Sequence, residues 1–265
     1  MRNQVSAQGT MSFDDVGAGR PVVLLHAFPL ARIMWAPQIE ALQDAYRLIV
    51  PDLPGFGGSR GFTATPSLDR MADSVAELLD ELKVGERIVL GGLSMGGYTA
   101  LAFARRYAER LRGLILADTK AEADDAAGKA NRDRLIAFAS QNPARAVLDQ
   151  MLAKLVGPET MARRPDVVEM IRQIAESQTS EGIIGALQAM RDRPDSGPSL
   201  SAIRVPALVV VGEQDALTPP TIAESLAARI NGAKLVRIEG AGHLANLEKP
   251  DLFNAAVRSF LQGLT

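Results

Sequence analysis

Apolar residues fall along this chain in two alternating rhythms. Short runs of Val, Ile and Leu that end in turn residues recur at "PVVLLH" (21–26), "YRLIVPD" (46–52), "RIVLGG" (87–92), "LRGLILAD" (111–118), "ALVVVGEQD" (207–215) and "AKLVRIEGAGH" (233–243). Their apolar positions are consecutive rather than alternate, the pattern of strands buried on both faces of a parallel sheet. Between them lie stretches with helical spacing, at 68–82, 98–107 and 221–230. Strand and helix in alternation predict an α/β fold, a mostly parallel sheet flanked by helices.

The rhythm breaks after Asp118. From about 120 to 199 the chain is rich in Ala, Arg, Asp and Met, and segments such as "LDQMLAKLV" and "IIGALQAM" place apolar residues at helical intervals. This predicts a helical insertion, closed by the turn-rich "RDRPDSGPS" before the strand rhythm resumes. With 265 residues, the expectation is a single α/β domain, 1–265, carrying that insertion.

Composition narrows the function classes. Hydrophobic residues make up 47% and charged ones 23%, so the chain reads as globular rather than disordered or membrane-embedded. A formal net charge of -2 offers no broad basic surface for nucleic acid and suits a small-molecule partner. The absence of cysteine removes disulfides, thiolate catalysis and cysteine metal sites together. The first 21 residues contain no apolar run of the signal-peptide kind, and no segment is long enough for a membrane span. The expected location is cytoplasmic, with no membrane partner.

Gly92-Leu93-Ser94-Met95-Gly96 has the form G-x-S-x-G between a strand-like and a helix-like run. Small residues on either side let a serine adopt a strained turn that lifts its hydroxyl clear of the sheet, beside the N-H groups opening the next helix. The rival reading is a dinucleotide site, because Asp118 follows Gly97 by about 20 residues, the spacing of a ribose-binding acid. However, G-x-G-x-x-G is missing: counted from Gly91, the second required glycine is Leu93.

A serine nucleophile needs a base, and the chain has two histidines, His26 and His243. A Ser, acid, His order in an α/β sheet favours His243. Asp215, at the end of a strand run between Ser94 and His243, is the candidate acid, with Asp118 as the alternative. Asp52 precedes the serine and fits less well.

Together "LLHAFPL", "PDLPGFGGS", "GGLSMGGYTA", "VVVGEQDALTPP" and "GAGHLANLEKP" make the chain resemble the α/β-hydrolase superfamily, over nearly its whole length and in the family's order. The resemblance implies Ser94 as nucleophile, Asp215 as acid and His243 as base. It implies an oxyanion hole formed by the backbone N-H groups of Met95 and Phe28. Ala27 departs from the glycine usual before the second donor, which is tolerated where the local φ is negative. The resemblance further implies a structural role for His26, packing for Trp35, turns at Gly55 and Gly57, and a cap formed by the insertion.

Serine at the elbow sets the chain apart from the dehalogenase and epoxide hydrolase branches, which carry aspartate there. The implied reaction is hydrolysis of carboxylic esters with small to medium acyl groups through an acyl-enzyme, without metal or organic cofactor. "GLSMGG" and "HLANLEKP" also resemble enol-lactonase and acyl-homoserine lactonase relatives, so a lactone is the alternative substrate. Cofactor-free perhydrolase (haloperoxidase), hydroxynitrile lyase and non-catalytic receptor are further readings on the same scaffold.

Overall fold

The computed structural model describes residues 4–6 and 10–264; the opening stretch read for a leader falls partly outside these. Among the described residues eight strands form one sheet: β1 (Gln4–Val5), β2 (Ser12–Val16), β3 (Pro21–Leu25), β4 (Arg47–Pro51), β5 (Ile88–Leu93), β6 (Leu111–Ala117), β7 (Ala207–Gly212) and β8 (Lys234–Ile238). Their spatial order is β1-β2-β4-β3-β5-β6-β7-β8. Strands β3 to β8 pair in parallel, while β1 and β2 form an antiparallel edge. The helices are α1 (Ala36–Leu42), α2 (Leu68–Glu81), α3 (Met95–Arg106), α4 (Ala126–Ala139), α5 (Ala144–Leu155), α6 (Pro158–Arg163), α7 (Pro165–Glu176), α8 (Ser180–Arg191), α9 (Pro220–Arg229), α10 (Ala245–Glu248) and α11 (Pro250–Gln262).

Alternate residues of one strand feed two different cores. Val23 and Leu25 of β3 pack with Met71, Val75 and Leu79 of α2 and Phe103 of α3. Val22 and Leu24 pack with Ile39 and Leu42 of α1 and Phe253 and Val257 of α11. Each such fully buried aliphatic or aromatic side chain contributes about 1.5–3 kcal/mol, and this two-sided burial explains the unbroken apolar runs in the central strands.

Both edges of the sheet depart from that pattern. β8 reads as apolar on both faces, yet its place at the rim leaves Lys234 and Arg237 exposed and Leu235 and Val236 only half buried. At the other edge, β2 is absent from the apolar pattern because it carries Asp14 and Asp15 in mid-strand. Aspartate disfavours strands locally; here arginines distant in sequence compensate. Arg32 Nε donates to Asp14 at 3.1 Å and Arg47 Nη2 donates to Asp15 at 2.6 Å.

β3 pairs with β4 on one side and β5 on the other. Chain connections therefore diverge at the carboxyl ends of these strands, and the crevice left there is where open α/β sheets take ligands. His26 follows β3, Ser94 follows β5, Asp118 follows β6, and the loops after β7 and β8 carry Asp215 and His243. Helices α4 to α8 all lie between β6 and β7, with α4 packed on α8 and α5 on α7. Gly182 of α8 approaches the loop after β4 so closely that a Cβ on Gly55 would sit 2.9 Å from its Cα. Among the described residues no helix is long and apolar enough to cross a membrane.

Candidate active site

Ser94 occupies the one-residue turn from β5 to α3, with φ 54° and ψ −111°. That backbone is costly for a residue with a Cβ, and the surroundings hold it in place. The Ser94 amide donates to the Ala117 carbonyl at 2.9 Å, and its own carbonyl accepts from Tyr98 N-H at 3.0 Å and Thr119 Oγ1 at 2.9 Å. Glycine is required on both sides: a Cβ on Gly92 would fall 2.1 Å from the Gly96 carbonyl oxygen, and one on Gly96 would fall 2.2 Å from that of Leu25. Met95 opens α3, so its N-H has no acceptor within the helix.

The loop after β3 is fixed around His26. Leu53 N-H donates to His26 Nε2 at 2.9 Å, which assigns the ring hydrogen to Nδ1, 3.0 Å from the Ala27 carbonyl. Burial lowers the His26 pKa, and the charge of Asp52 reverses only part of that shift. Both ring nitrogens are thus used structurally. Ala27 is not among the residues with positive φ, so its methyl group is accommodated, and its carbonyl also accepts from Leu30 N-H at 2.9 Å. The Phe28 amide, one residue on, has no acceptor among the described residues, and Phe28 faces the same cavity as Ser94.

Asp215 lies just beyond β7 and is 3% exposed. Its Oδ1 accepts from the amides of Leu217 at 2.8 Å and Thr218 at 2.9 Å; its Oδ2 accepts from Thr218 Oγ1 at 2.6 Å and bonds His243 Nδ1 at 2.8 Å. Burial alone would raise the carboxyl pKa. The charge and hydrogen bond of His243, with the Thr218 hydroxyl and amide, outweigh burial and place it below the ordinary aspartate value. In the neutral imidazole, a carboxylate at Nδ1 leaves Nε2 of His243 as the nitrogen without a hydrogen.

Asp118, the alternative acid, has a different setting. Its Oδ1 accepts from Gly212 N-H at 2.8 Å, and burial, followed by the nearby charge of Asp215, raises its pKa well above the usual carboxylate value. His243 is hydrogen-bonded to Asp215 rather than Asp118.

Ser94 and His243 open onto one cavity of about 220 Å³, with Phe28 and Thr218 also in its wall. Among the described residues no hydrogen bond joins Ser94 Oγ to His243. Such contacts commonly tighten only when substrate arrives. Met151, Leu155 and Met190, from the segment between β6 and β7, supply apolar wall; Leu155 and Met190 also belong to the buried cores, as do Leu152, Ile183 and Leu187. Trp35 packs at 5.9 Å from Phe253, and Gly55 and Gly57 have φ of 87° and 52°, as their turns require. No group of three or more His, Asp or Glu side chains among the described residues could hold a metal ion.

Several residues that shape the site left little or no trace in the sequence pattern. Thr218 could have been found from "DALTPP", since an aspartate that bonds amides two and three residues on makes a local turn. Glu248 could not. Its carboxylate accepts from the amides of Gly242 at 2.9 Å and Gly157 at 2.7 Å and from Thr160 Oγ1 at 2.7 Å, tying the His243 loop to the helical segment. Burial raises its pKa despite these donors.

The model for the alpha/beta hydrolase fold matches residues 20–250. In structure the chain is similar to a thermophilic esterase from Thermogutta terrifontis, solved with malate bound: 42% identity, TM-score 0.93, covering 96% of this chain and 93% of that one. It is also similar to the enol-lactonase from Burkholderia xenovorans, at 30% identity and TM-score 0.88, covering 95% and 96% of the two chains. A curated relative, 3-oxoadipate enol-lactonase 2 of Acinetobacter baylyi, is 29% identical over 229 residues, 86% of this chain and 84% of its own. From its sheet order, its strained serine between close-packed glycines and these likenesses, the chain belongs to the α/β-hydrolase fold family.

Proposed function

We propose that this protein is a serine hydrolase of carboxylic esters, with Ser94 as nucleophile, His243 as base and Asp215 as the acid that orients it. The observation that carries this reading is the 2.8 Å bond from His243 Nδ1 to Asp215, with His243 and Ser94 lining one cavity. His243 Nε2 takes the Ser94 proton as Oγ attacks the ester carbonyl carbon, and Asp215 stabilises the imidazolium. The carbonyl oxygen becomes an oxyanion held by the N-H groups of Met95 and Phe28, each donor worth about 2.7–4 kcal/mol. Collapse breaks the ester C-O bond, and the alcohol leaves with the proton from His243. A water molecule then gives a proton to His243, attacks the acyl carbon and releases the acid, returning the proton to Ser94.

The helical segment from α4 to α8 serves as a lid: Met151, Leu155 and Met190 meet the acyl chain. The cavity volume suits a small to medium acyl group. The enol-lactonase likenesses favour a lactone as the second reading, in which the leaving alcohol stays tethered to the acyl group. A turnover panel of aryl esters of graded acyl length, run beside γ- and δ-lactones, tests both. Higher kcat/KM for linear esters supports the esterase reading, higher kcat/KM for lactones supports the second, and no turnover of either class refutes both.

A further inference from the structure

The cavity above Ser94 carries a marked charge. Lys120, Arg132 and Lys154 line it against one carboxylate, Asp124, an excess of two positive charges in a chain of net charge -2. Asp124 is already engaged: Arg132 Nε lies at 3.0 Å, Arg193 Nη2 at 2.9 Å and Lys120 Nζ at 3.5 Å. Burial pushes its carboxyl up, but hydrogen bonds and charge from Arg193 and Arg132 lower its pKa to about 2. Its negative charge is therefore fully developed and shared among three cations. Arg193 is buried behind this wall, its guanidinium carbon 4.3 Å from the Tyr98 ring centroid, and adds to the same field.

Two donors remain free to face a ligand. Lys154 has no ion-pair partner among the described residues, and Arg132 uses only Nε on Asp124, leaving its terminal amino groups open. A cleft lined by one sign of charge between apolar walls concentrates field on whatever enters it. A neutral ester would leave that field unused; an anion would complete it. Given the Ser94 reading above, on which this rests, we infer that the cavity selects esters or lactones bearing a free carboxylate remote from the bond cleaved, with Lys154 and Arg132 as the specificity-determining residues.

The competing explanation is structural, because Lys154 lies in the last turn of α5, where a cation complements the helix dipole. Matched substrates separate the two. Aryl monoesters of dicarboxylic acids of graded length are compared with the same esters ending in a primary amide, and the readout is the acid-to-amide ratio of kcat/KM. Any general damage to a variant cancels in that ratio. For the wild type at low salt the ratio at the best chain length should be about tenfold or more, falling towards one at roughly 0.5 M salt as screening shortens the reach of the charges. Lys154→Glu, an exposed position, should bring the ratio below one, and Arg132→Gln should lower it. A wild-type ratio near one at every length, or a ratio unmoved in Lys154→Glu, overturns the inference while leaving ester hydrolysis standing. Failure of the wild type to cleave either series overturns the Ser94 reading and this inference with it.

Discussion

Replacing Asp215 by asparagine should disable the site by changing which nitrogen of His243 carries the hydrogen. In Asp215→Asn the new side chain could place its amide oxygen towards the backbone, keeping the bonds from Leu217 and Thr218 N-H, or towards His243. The second choice turns an NH2 group onto two backbone donors and leaves both without an acceptor, at roughly 1–3 kcal/mol each for a buried unsatisfied group. The first is therefore preferred, and its NH2 donates to Nδ1. The ring hydrogen then moves to Nε2, which can no longer accept the Ser94 proton. A wrong-tautomer site of this kind loses about 10⁴ in kcat, about 5.5 kcal/mol in the barrier. The assay is steady-state turnover of an aryl ester, with circular dichroism to establish that the fold persists. Asp118→Asn is the control. Burial disfavours charge on the Asp118 carboxyl, asparagine tolerates its φ of 44°, and its cost should stay below about tenfold. A loss under tenfold in Asp215→Asn, or an equal loss in Asp118→Asn, would refute the reasoning.

Two further outcomes concern stability. The Asp124 pKa falls from the ordinary 3.8 to about 2 in the folded protein, so its contribution is fully present above about pH 4 and disappears as pH drops through about 2. At 1.36 kcal/mol per unit this is about 2 kcal/mol; the stability gap between wild type and Asp124→Asn, from urea unfolding, should shrink by that amount between about pH 5 and pH 2, and a constant gap would contradict it. Glu248→Gln, which offers one acceptor oxygen to donors now shared by two, should cost about 2–4 kcal/mol and expose the segment near Gly157 to proteolysis; a loss below about 0.5 kcal/mol would show that Glu248 does not clamp the two segments.

The central strands were legible because burial on both faces leaves an uninterrupted apolar run, and the elbow because the glycines flanking Ser94 answer a local steric demand. The proposed order Ser94, Asp215, His243 rests on family resemblance, since Asp215 and Asp118 both end strand runs. What distinguishes them is their surroundings: the local turn after β7 brings the Leu217 and Thr218 amides and the Thr218 hydroxyl to one carboxylate, and His243 reaches it from the loop after β8, while burial raises the pKa of the other. β2 was hidden because Asp14 and Asp15 are paired by arginines far away in the chain. Glu248 and the cationic wall escaped notice because Gly157 and Thr160 lie far from Glu248 in the chain, and Arg193 and Lys154 lie far from Asp124.

The most direct measurement is reaction with a fluorophosphonate, followed by peptide mapping in a mass spectrometer. If Ser94 is the activated hydroxyl, a single adduct accumulates on the peptide containing it in step with the loss of ester turnover, and Ser94→Ala shows neither labelling nor turnover while retaining its fold. An adduct on any other residue, or undiminished turnover in Ser94→Ala, would place the nucleophile elsewhere.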